Sequence, residues 1–259
     1  MPKVEKITSA ANPLLKDVRR AIARGGLTDQ GWCVAETFHL LDEALRSRCA
    51  VKAVLAAESV ELRGLLNGVK VTRLPDALFR DLSSTETSQG VITLVEPPAW
   101  TFDQLFAGRP LVMVLDRVQD PGNAGAIIRA AEAFGATGAL FLKGSVSPFN
   151  PKTLRASAGS LFRLPFLHSV DPDVALQKPL DLYAAVPARP GAPARLPSDV
   201  DFAAACGLII GSEAHGVDAR LRSAASDVSI PTVGVESLNA AVAAGVLLYE
   251  ARRQRALRP

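Results

Sequence analysis

Cysteine and histidine are scarce in this chain, and neither is arranged as a metal site or a disulfide framework. The three cysteines are far apart, odd in number and without a CxxC pair. This pattern is typical of proteins of the reducing cytosol. The three histidines also lack the spacing of metal ligands, so we expect no bound metal.

Long apolar runs are missing as well. No stretch of about 18 apolar residues occurs, and the N-terminus lacks the apolar core of a signal peptide. We therefore expect a cytoplasmic protein that neither crosses a membrane nor is exported. The 259 residues, 48% of them hydrophobic, can bury a substantial core and favour two domains.

Positive charge is concentrated in three places, although the formal net charge is only +3. Residues 1–24 hold six basic side chains against two acidic ones, and residues 143–163 hold four and no acid. Residues 252–258 hold four arginines. Any one cluster is equally typical of ordinary solvated surface, but three together suit the phosphate backbone of a nucleic acid.

The first part of the chain is predicted to be a small α/β domain. A proline-rich break at 96–110 places the domain boundary near 97, which gives domains 1–97 and 98–259. The N-terminal residues are expected to be coil up to the Asn12-Pro13 helix start. The expected helices lie at 13–23, 37–47, 59–67 and 76–82, and the expected strands at 31–35, 51–56, 69–73 and 90–95.

From Pro110 onward, short apolar runs alternate with helical segments, which predicts a parallel sheet buried on both faces. One helix is expected after the turn at Asp120–Asn123, one after Asn150-Pro151, and a last helix capped by Ser237 and reaching about residue 257. The expected strands are 111–116, 138–142, 180–186 and 207–210, and residues 227–230 lead to Pro231.

Three strand ends lead into loops rich in glycine, asparagine, serine or proline. They are DRVQDPGNAGAIIR at 116–129, GSEAHGV at 211–217 and IPTVGVESLNAA at 230–241. In open parallel sheets, ligands bind at the carboxyl ends of the strands. The first loop is neither a P-loop nor a GxGxxG element, which disfavours an ordinary nucleotide-binding enzyme. Each loop also has a plain explanation as an exposed turn or a helix cap, with Asn123 and Ser237 as the capping residues.

Taken in order, N-x-G-x-x-x-R, G-S-E-x-x-G and I-P-x-x-G-x-x-S-L-N-x-A resemble the three motifs of the SpoU (TrmH-like) family of RNA ribose methyltransferases, in the SPOUT superfamily. As a set these motifs are highly specific. The segment ITSAANPLLKDVRR resembles the start of the family's N-terminal substrate-binding domain. There the family often has an acidic residue followed by glycine, where this chain has Glu36-Thr37.

The resemblance implies a C-terminal domain with a parallel sheet and a deep trefoil knot, beside a small N-terminal α/β RNA-binding domain. It implies S-adenosyl-L-methionine (AdoMet) bound in the knot, and a homodimer through the C-terminal domain with the active site near the interface. Position 211 is expected to tolerate no side chain, because the backbone of Gly211 meets the cofactor. The cofactor-binding residues carried over are Ile210, Gly211, Ile230, Pro231, Gly234, Leu238 and Asn239.

The same resemblance nominates Arg129 as catalytic, surrounded by Asn123, Glu213, Ser237 and Asn239. Arginine normally stays protonated, so an orienting and charge-stabilising role is favoured. A general-base role would require a strongly depressed pKa. Glu213 is expected to fix Arg129, and the two asparagines are expected to hold the loops and the ribose.

The expected substrate is ribosomal RNA, because shorter relatives that act on transfer RNA often lack an N-terminal domain. Transfer RNA is the first alternative. A non-catalytic RNA-binding protein is the second, and the intact set of five nominated residues argues against it. A nucleotide-binding metabolic enzyme is the third, disfavoured by the missing phosphate loops.

Overall fold

The computed structural model describes residues 4–62, 68–85, 87–188 and 194–258. The chain divides into two compact units, residues 1–99 with 149–163, and residues 100–148 with 164–259. Within the described ranges, no helix is both long and apolar enough to cross a membrane.

In its described residues, the first unit contains five strands and four α-helices. Residues 4–96 form β1 (Val4–Lys6), α1 (Pro13–Arg24), β2 (Cys33–Glu36), α2 (Phe38–Arg46), β3 (Ala50–Ala57), β4 (Lys70–Leu74), α3 (Asp76–Arg80) and β5 (Val91–Glu96). In the second unit lie α4 (Phe102–Leu105), β6 (Leu111–Asp116), α5 (Pro121–Ala133) and β7 (Gly138–Leu142). Next, α6 (Pro151–Ser157) belongs to the first unit. Then the second unit continues with β8 (Phe166–Val170), β9 (Asp181–Ala185), β10 (Cys206–Gly211), α7 (Ala219–Ser223), β11 (Ser226–Val228) and α8 (Ala240–Leu257).

The sheet of the first unit has the order β1-β4-β3-β5-β2. β4 is parallel to β1 and β3, whereas β5 is antiparallel to β3 and β2. The apolar stripe of α1, formed by Leu15, Val18 and Ala21, is fully buried in the core of this unit. The helix begins as predicted, because Asn12 accepts a hydrogen bond from the backbone of Leu14 at 2.9 Å.

Two predictions for the first unit need correction. Residues 4–6 were expected to be coil but form β1, whose exposed polar pattern gives no signal and whose place is set by pairing with β4. The helix expected at 59–67 is not helical over residues 59–62, and residues 63–67 lie outside the described ranges.

Thr37 adopts a strained backbone conformation at the start of α2. Its φ is 114°, in the region that favours glycine, while its side chain accepts a hydrogen bond from the amide of Leu40 at 3.2 Å. We expect Thr37→Gly to stabilise the protein by about 1 kcal/mol, because relief of strain outweighs loss of the cap and the added freedom of the unfolded chain. Urea unfolding measures this. Thr37→Ala is the control: it keeps the strain, loses the cap and should lower stability, and a glycine variant no more stable than it would contradict the prediction.

The second unit contains a six-stranded sheet in the order β11-β9-β10-β6-β7-β8, with every neighbouring pair parallel. The predicted parallel sheet is therefore confirmed. The strand at 166–170 was missed, because it is a partly buried edge strand whose apolar run is interrupted by His168 and Ser169. The threading of α8 through a knot stays a prediction.

The last helix is anchored near its C-terminal end by Arg255. This half-buried side chain donates hydrogen bonds from Nε to the carbonyl oxygen of Phe202 at 2.8 Å and from Nη1 to that of Arg109 at 2.8 Å. Nη2 donates to the carbonyl oxygens of Pro110 and Ala204, both at 2.7 Å. Burial lowers the pKa of Arg255 from its ordinary value. One guanidinium thus joins α8 to the segments that lead into β6 and β10.

Candidate active site

The first two motifs begin side by side at the carboxyl edge of the second unit's sheet. β6 and β10 are parallel neighbours, and Asp116, the last residue of β6, lies opposite Gly211, the last residue of β10. The third motif leaves the same edge after β11. All three nominated loops therefore start where a parallel sheet binds ligands.

Asn123 joins the three motifs through its side-chain amide. Its Nδ2 donates a hydrogen bond to Oε1 of Glu213, and its Oδ1 accepts one from Nδ2 of Asn239 at 2.9 Å. The interpretation of Asn123 as a helix cap is wrong, because Asp120 caps α5 by accepting from the backbone amide of Asn123 at 2.6 Å. The side-chain amide of Asn123 is therefore not used for capping and forms the contacts between the loops.

Asn239, not Ser237, caps the last helix. Its Oδ1 accepts hydrogen bonds from the backbone amides of Ala241 at 2.9 Å and Val242 at 3.3 Å. The prediction that Ser237 is the cap is wrong, because residues 237–239 remain outside the helix, which begins at Ala240. Asn239 thus starts α8 and binds Asn123 with the same side chain.

A cavity of about 360 Å³ opens between the second and third motifs. Its apolar wall includes Val228, Ile230 and Leu238, and its acidic groups are Glu213, Asp227 and Glu236. Pro231, Gly234 and Asn239 belong to the third motif but are not among its lining residues. Six nominated residues line it: Ile210, Gly211, Glu213, Ile230, Ser237 and Leu238.

Arg129 does not line the cavity and is not hydrogen-bonded to another nominated residue in the described chain. It is exposed on α5, six positions after Asn123, and six steps of about 100° place it on another face of the helix. In the described chain Glu213 accepts a hydrogen bond from Asn123 and forms no ion pair with Arg129, so the expectation that Glu213 fixes Arg129 stays a prediction. In the part of the chain that the structure describes, Arg129 forms no hydrogen bond or ion pair. Its guanidinium is therefore free to act on a group outside this single chain.

Gly211 has no room for a side chain, and the reason lies within the chain. A Cβ at this position would be 2.3 Å from the carbonyl carbon of Gly216 and 2.4 Å from the amide nitrogen of Val217. The loop folds back on itself, with the amide of Gly216 donating to the carbonyl oxygen of Ser212 at 2.8 Å. The expected explanation, contact between this backbone and a cofactor, is not needed to account for the glycine.

We expect Gly211→Ala to displace the second motif and to lower the melting temperature, because the added methyl meets backbone that cannot rotate away. Thermal unfolding followed by circular dichroism measures the change. Gly26→Ala in the first unit is the control, since a Cβ there meets nothing within 4 Å and its φ is not positive, and its melting temperature should stay near that of the wild type. Equal melting temperatures for the two variants would refute the steric argument.

Several site residues were not nominated from the sequence. Asp116 is only 1% exposed, and its signal was a charged residue at the end of an otherwise apolar strand. Arg222 and Asp227 line the cavity as an ion pair, in which Asp227 raises the pKa of Arg222. Among the described residues, no three His, Cys, Asp or Glu side chains are grouped as a metal site.

Two family models match this chain. Residues 110–249 match the SpoU rRNA Methylase family, and residues 12–93 match the MRM3-like substrate binding domain. The two matches together cover both units and contain every nominated site residue.

Similar proteins were found among both sequences and solved structures. The chain is 32% identical to the 23S rRNA (guanosine(2553)-2′-O)-methyltransferase RlmP of Bacillus subtilis, covering 96% of this chain and 100% of the relative. The crystal structure of AviRb from Streptomyces viridochromogenes with AdoMet has a TM-score of 0.82 at 29% identity, covering 95% and 98% of the two chains. An AdoMet-bound rRNA methyltransferase from Sinorhizobium meliloti has a TM-score of 0.81 at 27% identity, covering 96% and 98%.

Proposed function

Because the chain belongs to the SpoU rRNA methylase family, we propose that it transfers a methyl group from AdoMet to a ribose 2′-hydroxyl of ribosomal RNA. The hydrogen-bonded series Glu213–Asn123–Asn239 carries the proposal, because it joins all three motifs beside one cavity. RlmP, which matches over almost the whole chain, is named for this reaction on 23S rRNA. The relatives of this chain that are named for bacterial 23S rRNA also support a cytoplasmic location.

The cavity has the size and chemistry to hold AdoMet. Its volume of about 360 Å³ lies in the range of small-molecule sites, roughly 300–1,000 Å³. The apolar side chains of Val228, Ile230 and Leu238 suit a purine ring, and the nearby carboxylates of Glu213 and Glu236 suit a positively charged ligand. Ile210 and Gly211 would contribute backbone groups from the end of β10.

When bound, AdoMet supplies a methyl group already activated on a sulfonium centre. What remains for the protein is to hold the ribose hydroxyl in line and to stabilise charge as its proton leaves. We assign the first task to Asn123, Asn239 and Ser237, which border the cavity or join its loops. Arg129 would stabilise the developing charge as a cation.

We propose that the second unit forms a homodimer that completes the site around Arg129. Val242, Val246 and Tyr249 lie at i, i+4 and i+7 on one face of α8 and are exposed. The ring of Tyr249 packs edge-on against Phe134 at 5.8 Å between centroids, so the apolar face extends to the residue that follows α5. A second copy would cover this face. Light scattering of the wild type at micromolar concentration should give twice 27.3 kDa, and Val246→Glu should give the monomer.

We further propose that residues 1–97 bind the RNA and that residues 98–259 form the methyltransferase domain. The MRM3-like substrate binding domain match at 12–93 supports this division. On α1, Lys16 is exposed, whereas Arg20 pairs with Asp29 at 2.5 Å. Lys16→Gln should therefore weaken RNA binding and reduce its dependence on salt more than Arg20→Gln does, although each variant removes one positive charge.

The function is tested by incubating the protein with AdoMet and deproteinised ribosomal RNA, then locating modified positions by resistance to alkaline cleavage. A 2′-O-methyl nucleotide is expected. A methylated base would disprove ribose chemistry, and preferential labelling of transfer RNA would favour the first alternative substrate. AdoMet binding by calorimetry without any transfer would support the non-catalytic alternative.

A further inference from the structure

Asp116 is a buried charged residue beneath the second motif, and the reaction described above gives it no part. It ends the fully buried strand β6 and is only 1% exposed. Its Oδ2 accepts a hydrogen bond from the backbone amide of Asp218 at 2.6 Å. A buried carboxylate must be paired to be tolerated, so its partners show what it holds in place.

The second partner of Asp116 is its neighbour Arg117. The guanidinium donates from Nε to Oδ1 at 3.2 Å and from Nη2 to Oδ2 at 3.3 Å. It also lies 3.9 Å from the carboxylate of Asp218. Arg117 reaches this position with a φ of 57°, in the left-handed region that costs a residue with a side chain. The backbone is strained at the point where this ion pair forms.

The bond to Asp218 closes the loop that presents Glu213. The loop leaves the sheet at Gly211, opposite Asp116, and returns at Asp218, whose amide binds the Asp116 carboxylate. Asp218 then caps α7 by accepting from the backbone amide of Arg220 at 3.0 Å. Both ends of the second motif are therefore fixed to the last residue of β6, one through strand pairing and one through a side chain.

We propose that Asp116 is a positioning residue, which holds the second motif so that Glu213 meets Asn123 at the cavity. The inference rests on the proposed function, since it assigns the catalytic geometry to that loop. Asp116 itself does not line the cavity. Its effect passes through the amide of Asp218 to the loop and then to Glu213, and misplacement of a reacting group by about 1 Å can cost 10²-fold in rate.

Asp116→Asn keeps the size of the side chain but cannot keep its contacts. If the new NH2 group takes the place of Oδ2, it faces the amide of Asp218, which is also a donor. If it takes the place of Oδ1, it faces the guanidinium of Arg117, which is a donor as well. We expect kcat to fall about 10- to 100-fold with the KM for RNA little changed. Amide hydrogen exchange over residues 212–218 should become about 10-fold faster or more, while exchange over β7 stays the same.

Asp218 offers a matched pair of variants that separates its backbone amide from its side chain. Asp218→Pro removes the amide hydrogen and puts the ring Cδ against the Asp116 carboxylate, so this end of the loop must part from β6, while the φ of −54° at this position suits proline. Asp218→Ala keeps the amide hydrogen, and both variants lose the cap of α7 equally. The proline variant should match Asp116→Asn in kcat and in amide exchange, whereas the alanine variant should stay near wild type. The Asp116→Asn/Asp218→Pro double variant should be no worse than either single variant.

Equal behaviour of the proline and alanine variants, or wild-type kcat and exchange in Asp116→Asn, would overturn the proposal. So would a double variant whose losses multiply, because the two residues would then act separately. If the wild type transfers no methyl group, the proposed function fails. The exchange measurement then still decides whether Asp116 holds the loop.

Discussion

Replacing Arg129 by alanine is expected to lower kcat by about 10²-fold or more, with the AdoMet dissociation constant nearly unchanged. The expected loss is that of one preorganised electrostatic group. AdoMet binding should survive because Arg129 does not line the cavity and lies on a different face of α5 from Asn123. Single-turnover methylation and calorimetry, done on the same preparation, separate the two effects.

The chemistry of Arg129 is tested further by a conservative change and a matched control. Arg129→Lys should also be slow, since a point charge cannot reproduce the planar fork of a guanidinium. Arg253→Ala removes another exposed arginine, which pairs with Glu250 on α8, and should keep its activity. Near-normal turnover by the Arg129→Ala enzyme would remove this residue from the mechanism.

Arg255→Met should lower the free energy of unfolding by about 3–5 kcal/mol. Four carbonyl oxygens lose a charged donor: water can replace it at the exposed carbonyl of Arg109, whereas the three partly buried acceptors each cost up to about 1–3 kcal/mol when left unsatisfied. Methionine fills much of the volume, so the loss reports on hydrogen bonding rather than on a cavity. Urea unfolding gives the free energy directly.

Two further substitutions decide whether the geometry of Arg255 matters. Arg255→Lys keeps the charge but has three donors on one nitrogen, and it should recover only part of the stability. Arg253→Met, two positions earlier and exposed, should change stability by less than about 0.5 kcal/mol. A lysine variant as stable as wild type would show that charge alone anchors α8.

The sequence predicted the parts of the fold whose signal is local. Apolar runs marked β6 and β10, which are buried on both faces, and Asn12-Pro13 marked the start of α1. It could not predict β1 or β8, because these edge strands are defined by their pairing partners. Pairing between strands far apart in the chain leaves no mark on the pattern within either strand.

For the site, the motifs identified three loops that the structure joins by hydrogen bonds, but they did not predict which residues make these contacts. The assignment of Ser237 as the cap was wrong because two residues suited to an N-cap, Ser237 and Asn239, lie near the helix start. Only the structure shows that Asn239 is the N-cap. The hydrogen bond between Glu213 and Asn123 was not predicted, since spacing along α5 does not reveal which residue of α5 faces the second motif. Asp116 was overlooked because its role depends on an amide 102 positions away.

The side-chain contacts of Asn123 also determine how late in synthesis the candidate site can form. The two partners of Asn123 lie 90 and 116 positions further along the chain, and the second of them opens the final helix. During synthesis, Asn123 emerges before either partner has been made, so its side-chain amide is first hydrogen-bonded to water. The contact that joins the first and third motifs can therefore form only after the start of α8 has emerged from the ribosome.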